Sequence, residues 1–162
     1  MTATLENVVI STPLGPLQLI LEGTRLERVD FLSRQIVPIP FVKQSDTGQR
    51  IADWFDRYFK NPLTCFSLPL LLKGTPFQVR VWKALQHIPL GQTVTYGELA
   101  KGLETSARAI GLACRQNPLP IVIPCHRVVA QSGIGGYCGK SSGDILDRKI
   151  SLIAHEKNCI HA

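Results

Sequence analysis

The chain is 162 residues long, with 44% hydrophobic and 19% charged residues, which excludes a disordered polymer and suffices for one domain or two small ones. Apolar runs such as Leu68–Leu72 and Ile121–Ile123 fall far short of the roughly 20 residues a membrane span needs. Glu6 and Asn7 interrupt the first run that a signal peptide would use, so a soluble, cytoplasmic protein is expected, nuclear if the source is a eukaryote.

Charge is uneven. Residues 1–75 carry eight Lys or Arg against seven Asp or Glu, whereas residues 76–162 carry ten against five. The second half is the one suited to an anionic surface, unless its charges are an ordinary solvated face. Five cysteines (Cys65, Cys114, Cys125, Cys138, Cys159) include no CxxC pair and read as free thiols. With His87, His126, His155 and His161 they show no metal-ligand spacing, so neither metal nor cofactor is expected.

Three apolar runs, Leu5–Ile10, Leu17–Leu21 and Leu26–Phe31, predict strands, the last two joined by a hairpin at Gly23-Thr24. A connector with Pro38 and Pro40 follows. Ile51, Trp54, Phe55, Tyr58 and Phe59 then recur with helical spacing, and Asn61-Pro62 stops that helix. A boundary is expected at Lys73-Gly74.

Beyond it, Thr75-Pro76-Phe77-Gln78 reads as a capping box opening a helix that runs to about His87. A second box, Thr95-Tyr96-Gly97-Glu98, opens a short helix through Lys101, and another helix runs from about Ser106 to Gln116 before Asn117-Pro118. Two helices around a short Gly-containing turn, the second bearing Arg108 and Arg115, make a helix-turn-helix pattern. Leu119–Ile123 is expected to be extended, and Gln131–Gly143, rich in glycine and serine, to be a surface loop. Asp144 would cap a last helix with Leu146, Ile150 and Ile153 inward and Arg148, Lys149 and Lys157 outward. The fold class is α+β: a small N-terminal antiparallel sheet with a helix over 1–73, then a mainly helical domain over 74–162.

Cys125 lies between an apolar run and the cationic pair His126-Arg127. A thiol attacks as thiolate and needs a base or positive charge to lose its proton. His126 is a candidate base, reaching the sulfur through a turn or a bridging water, and Glu156 is the best-placed acid to orient it. The ordinary alternative is a buried structural cysteine.

Gly74-Thr75-Pro76-Phe77-Gln78, Ile88-Pro89-Leu90-Gly91, Thr95-Tyr96-Gly97-Glu98-Leu99-Ala100, Arg108-Ala109-Ile110-Gly111, Asn117-Pro118 and Ile123-Pro124-Cys125-His126-Arg127-Val128 occur in order. This set strongly resembles the O6-alkylguanine-DNA alkyltransferase (methylated-DNA–protein-cysteine methyltransferase) family, densely over residues 74–157. The resemblance implies direct-reversal DNA repair, with Cys125 as nucleophile and alkyl acceptor in a single irreversible turnover. It makes His126 the base acting through a water, Glu156 its holder, Tyr96 the proton donor to guanine N3, and Asn117 the brace of the active-site turn. Arg108 would fill the gap left by a flipped nucleotide on a helix docked in the minor groove, with Ser106, Ala107, Ala109 and Gly111 allowing close approach. Ala113 is assigned to the same small-residue face. Thr95 and Arg115 would also contact DNA, and Arg80, Lys83 and Lys101 the phosphates. Val128, Gly136, Tyr137 and Cys138 would wall the pocket, the backbone carbonyl of Val128 helping to recognise the exocyclic amine. The implied partner is double-stranded DNA carrying O6-alkylguanine, with O4-alkylthymine left open; the protein would act as a monomer, away from membranes and without a metal.

Leu103-Glu104-Thr105 stands where a proline often precedes the recognition helix, Cys138 where serine or alanine is common, and Lys140 where a second glycine is usual. The segment through Ser141–Asp144 is longer than usual, so the pocket-bordering loop should differ in the alkyl sizes it admits. Three rivals are weighed, and for one of them, a plain transcription factor, no regulatory domain is visible. An alkylation-damage-binding protein that flags lesions without transfer would lack the reactive cysteine. A cysteine hydrolase would leave Arg108 and the helix-turn-helix without a purpose.

Overall fold

The computed structural model describes residues 3–38 and 44–161, so Pro40 of the connector lies outside the described residues. The chain divides into two compact units, residues 1–73 and 74–162. No helix among the described residues is long and apolar enough to cross a membrane.

In the first unit, β1 (Leu5–Ile10), β2 (Leu17–Glu22) and β3 (Arg25–Phe31) form an antiparallel sheet in that order. Strand alternation sets the buried face: Leu17, Leu19 and Leu21 of β2 are fully buried and their neighbours are not. Helix α1 (Asp46–Lys60) buries Ile51, Trp54, Phe55 and Tyr58. Its N-cap Ser45 accepts from the Gly48 amide, and Glu6 of β1 accepts from the Ser45 amide at 2.8 Å and from its hydroxyl. Asn61 terminates the helix, as the Asn-Pro pair implies.

The second unit holds α2 (Pro76–Leu85), β4 (Val94–Thr95), α3 (Tyr96–Gly102), α4 (Ala107–Arg115), a 3-10 turn (Cys125–Arg127), β5 (Val128–Val129) and α5 (Asp144–Ile160). Both capping boxes form, Thr75 with Gln78 and Thr95 with Glu98. The buried Trp82 indole donates to Ala113 O at 2.9 Å, tying α2 to α4. Arg80 donates to Leu103 O at 2.8 Å, anchoring the turn between α3 and α4, so its guanidinium is engaged within the fold. Parallel pairing of β4 with β5 brings the start of α3 beside the residues that follow Cys125.

Three sequence expectations are corrected here. Leu119–Ile123 is a tight turn, not an extended segment: Ile123 donates to Leu119 O at 2.8 Å, and Ile121 sits at φ +76°. The Asn117 amide supplies the hydrogen bonds that a strand neighbour otherwise would. At α5 the N-cap is Gly143, with no side-chain cap, and Asp144 instead pairs with Arg148 at 3.0 Å. Arg148 and Lys149 point inward at 2% and 0% exposure while Ile150 is 45% exposed. The helix is phased to bury Lys149, Leu152, Ile153 and Glu156, because polar groups of the loop and the 3-10 turn await two of them. Finally, the Gln131–Gly143 loop is not wholly superficial. Tyr137 is buried, and its mutual hydrogen bonds with Lys140 close a two-residue turn whose central Cys138 and Gly139 both have positive φ.

Candidate active site

Cys125 opens the 3-10 turn and is 4% exposed, its amide donating to Ile123 O at 2.8 Å. Asn117 closes the preceding turn from both sides: its Nδ2 donates to Ile123 O at 2.8 Å and its Oδ1 accepts from the Leu119 amide at 2.9 Å. The left-handed Ile121 within that turn costs about 1–2 kcal/mol, offset by burying its side chain. Cys125 is thus held by rigid chain.

Cys125 lines a pocket of about 130 Å³. Tyr96 of α3, Gly111, Cys114 and Arg115 of α4, and Gly136–Gly139 of the loop complete its wall. Gly135 packs so closely that a Cβ there would lie 3.2 Å from the Tyr96 ring, at a φ of +74° that suits glycine.

Behind Cys125, His126 is fully buried and its Nε2 lies 2.7 Å from Glu156 Oε1. With Nε2 carrying the proton given to the carboxylate, Nδ1 is the proton-accepting nitrogen; it is buried and bonded to no protein atom. Arg127 grips the same carboxylate, Nε to Oε2 at 2.8 Å and Nη2 to Oε1 at 2.9 Å, and its Nη1 donates to Ile88 O at 2.7 Å. Burial pushes Glu156 up, but hydrogen bonds from His126 and Arg127 outweigh it and leave the carboxyl well below its usual range. Burial lowers the His126 pKa, more than its bond to Glu156 raises it.

Lys149 is the main site residue that sequence reading missed. Its ammonium donates to Val128 O at 2.7 Å, Ile134 O at 2.7 Å and Gly136 O at 2.8 Å, so each of its protons has a partner. The same nitrogen lies 5.8 Å from the Tyr96 ring centroid. Burial brings the Lys149 pKa down to about 8, opposed by the charges of Cys125, Cys114 and Cys138. Burial pushes the Cys125 thiol up to about 11, opposed by the Asn117 hydrogen bond and the Lys149 charge. Tyr96 is pushed up to about 12, mainly by burial, so its hydroxyl keeps its proton at neutral pH. A usable signal for Lys149 was its spacing of seven residues from Glu156, two helical turns along one face.

The expected residues fall into three groups. Tyr96, Cys125, Gly136, Tyr137 and Cys138 meet at the pocket, with Asn117, His126 and Glu156 behind. Val128 is corrected as pocket wall: its side chain is fully buried and does not line the pocket, while its carbonyl accepts from Lys149 at 2.7 Å. Arg115, expected at the DNA, also stands at the pocket. It lies so close to Gly139 that a Cβ there would come within 2.8 Å of its Nε. On α4, Ser106, Ala107 and Arg108 are exposed and Ala109 and Gly111 half-buried, whereas Ala113 faces the interior. Ser106 caps α4 through the Ala109 amide and Thr95 caps α3 through the Glu98 amide, both at 3.1 Å. Among the described residues no group of three or more His, Cys, Asp or Glu could hold a metal.

Residues 76–158 match the family model described as 6-O-methylguanine DNA methyltransferase, DNA binding domain, and residues 7–72 match its ribonuclease-like domain. A methylated-DNA–protein-cysteine methyltransferase of Mycobacterium bovis is 41% identical over 154 residues, 92% of this chain and 90% of that protein. One from Methanosarcina mazei is 37% identical over 156 residues, covering 93% and 96%. The crystal structure of Mycobacterium tuberculosis O6-methylguanine methyltransferase superposes with a TM-score of 0.79 at 36% identity, over 96% of this chain and 94% of that one. A structure of the Mycobacterium tuberculosis protein in complex with DNA gives 0.77 at 37%, over 94% and 93%.

Proposed function

This chain belongs to the 6-O-methylguanine DNA methyltransferase family, and on that premise we propose that it repairs O6-alkylguanine in double-stranded DNA by moving the alkyl group onto Cys125. The observation that carries the reading is the buried Cys125 at the wall of a pocket, backed by His126 and Glu156. The sulfur attacks the alkyl carbon in line, an S–C bond forms, and the C–O6 bond breaks with its electron pair going to guanine. His126 Nδ1 takes the thiol proton through a water, and Glu156 holds the imidazole by its other nitrogen. Tyr96, which keeps its proton to about pH 12, donates to guanine N3 as negative charge develops there. The thioether has no easy leaving group, so each molecule acts once.

An O6-alkyl group inside a stacked duplex is out of reach of a recessed sulfur, so the nucleotide must rotate out. Arg108, exposed in the first turn of α4, is suited to fill the gap, and the open space at Gly111 suits close approach to a groove. The Lys149 charge favours the thiolate, and Asn117 fixes the turn that presents it. The lesion-flagging alternative is disfavoured by Cys125 itself.

The test is incubation with duplex DNA carrying labelled O6-methylguanine, followed by mass spectrometry of the Cys125 peptide. One methyl per protein on Cys125, lost in Cys125→Ala with DNA binding retained, is the expected result. Binding without methylated Cys125 would reject the transfer reading in favour of lesion flagging.

A further inference from the structure

We propose that Arg127 is a positioning residue: by holding both carboxylate oxygens of Glu156, its guanidinium keeps His126 a neutral base instead of the charged half of an ion pair. What His126 does rests on the methyl-transfer reading; how it ionises does not.

The whole guanidinium fork is engaged. Two of its nitrogens bond the two oxygens of Glu156 at 2.8 and 2.9 Å, and the third donates to Ile88 O at 2.7 Å. Glu156 Oε1 is therefore shared between Arg127 and His126 Nε2, on a side chain only 1% exposed. A carboxylate buried beside an imidazole with no other cation would favour the imidazolium, because an opposite charge within about 4–6 Å stabilises the charged form. An imidazolium has no lone pair left for a thiol proton. Arg127 supplies the positive charge that the carboxylate requires, and so the pair needs none from His126.

The groups around His126 agree. From α5 it faces Glu156 and Lys149, and on its own turn it neighbours Arg127 and Cys125. Helix α2, also packed against this turn, buries Val81, Trp82 and Leu85 while its cations Arg80 and Lys83 are exposed. Two cations thus oppose one carboxylate. Burial sets the downward direction of the His126 pKa, and Arg127 and Lys149 reinforce it.

A purely structural clamp, tying the chain after α2 to the 3-10 turn through Ile88, would make different demands. The experiment is performed on the full chain, with Arg127→Gln and Arg127→Lys beside the parent. Imidazole titration by NMR gives the His126 midpoint, and single-turnover methyl transfer is timed from pH 5 to 9. In the parent, His126 should be neutral at pH 7. Arg127→Gln should raise its midpoint by about one unit or more, a tenfold change in protonation equilibrium. Transfer should then fall below the raised midpoint and recover toward the parental rate at pH 9, while Arg127→Lys keeps a parental midpoint. An unmoved midpoint in Arg127→Gln, or the same rate loss at every pH, would overturn the proposal. An imidazolium at pH 7 in the parent refutes the proposal outright; should Arg127→Gln not fold, Arg127→Met, which keeps the apolar stem and removes the charge, takes its place with the same expected rise in midpoint. If the parent transfers no methyl, the repair reading fails, yet the NMR midpoints still decide the claim about Arg127.

Discussion

At the scale of single residues, the site joins two opposed requirements. Cys125 is buried where a thiolate is costly, which is why its thiol sits near 11. The compensations are the Asn117 hydrogen bond and a lysine whose ammonium is satisfied by three carbonyls. Labelling of Cys125 by iodoacetamide should therefore be slow at pH 7 and climb steeply only above about pH 9, read by mass spectrometry. In Lys149→Met labelling at pH 7 should be slower still, because the ammonium that favours the thiolate there, charged below about pH 8, is gone. That variant also leaves Val128, Ile134 and Gly136 carbonyls without their donor, so a stability loss of at least about 2 kcal/mol is expected by denaturant titration.

Among the elements, those governed by neighbours in sequence were the most legible. The capping boxes at Thr75 and Thr95, the aromatic stripe of α1 and its stop at Asn61-Pro62 are all local chemistry, and each was readable. The phase of α5 was not. A charged residue on a helix ordinarily faces water, and only carbonyls 13–21 positions earlier in the chain reverse that for Lys149. The left-handed Ile121 was hidden for a related reason, since the side chain of Asn117 overrides the extended preference of a β-branched run. For the site, Cys125, His126 and Tyr96 could be named from their motifs, whereas Arg115 at the pocket wall and the occupied Val128 carbonyl depend on loop geometry. Helix α4 gives two sharp tests. Gly111 has open space where a Cβ would go, so Gly111→Ala should stabilise the fold by up to about 1 kcal/mol, read by denaturant titration, yet slow transfer, because the residue lines the pocket of Cys125. Arg108→Ala should slow transfer from duplex DNA but not from free O6-methylguanine base, and equal slowing of both would remove Arg108 from the flipping step.

Over the whole molecule, the net charge of +6 overstates what a polyanion meets. Arg127, Arg148 and Lys149 of the basic half are committed to internal partners, and Arg80 is engaged with Leu103. Binding to DNA should fall linearly with the logarithm of salt concentration, and Lys101→Ala should reduce that slope by about 0.9 if Lys101 meets a phosphate. The same commitment of charge to the interior has a temporal side. Glu156 and Lys149 both reside on α5, after every other part of the site has been synthesised. A nascent chain that has emerged only as far as Gly143 carries its sulfur but neither the acid nor the cation that arms it. Until that final helix docks, a ribosome-bound copy lacks both partners, and the assembled site belongs to the finished fold alone.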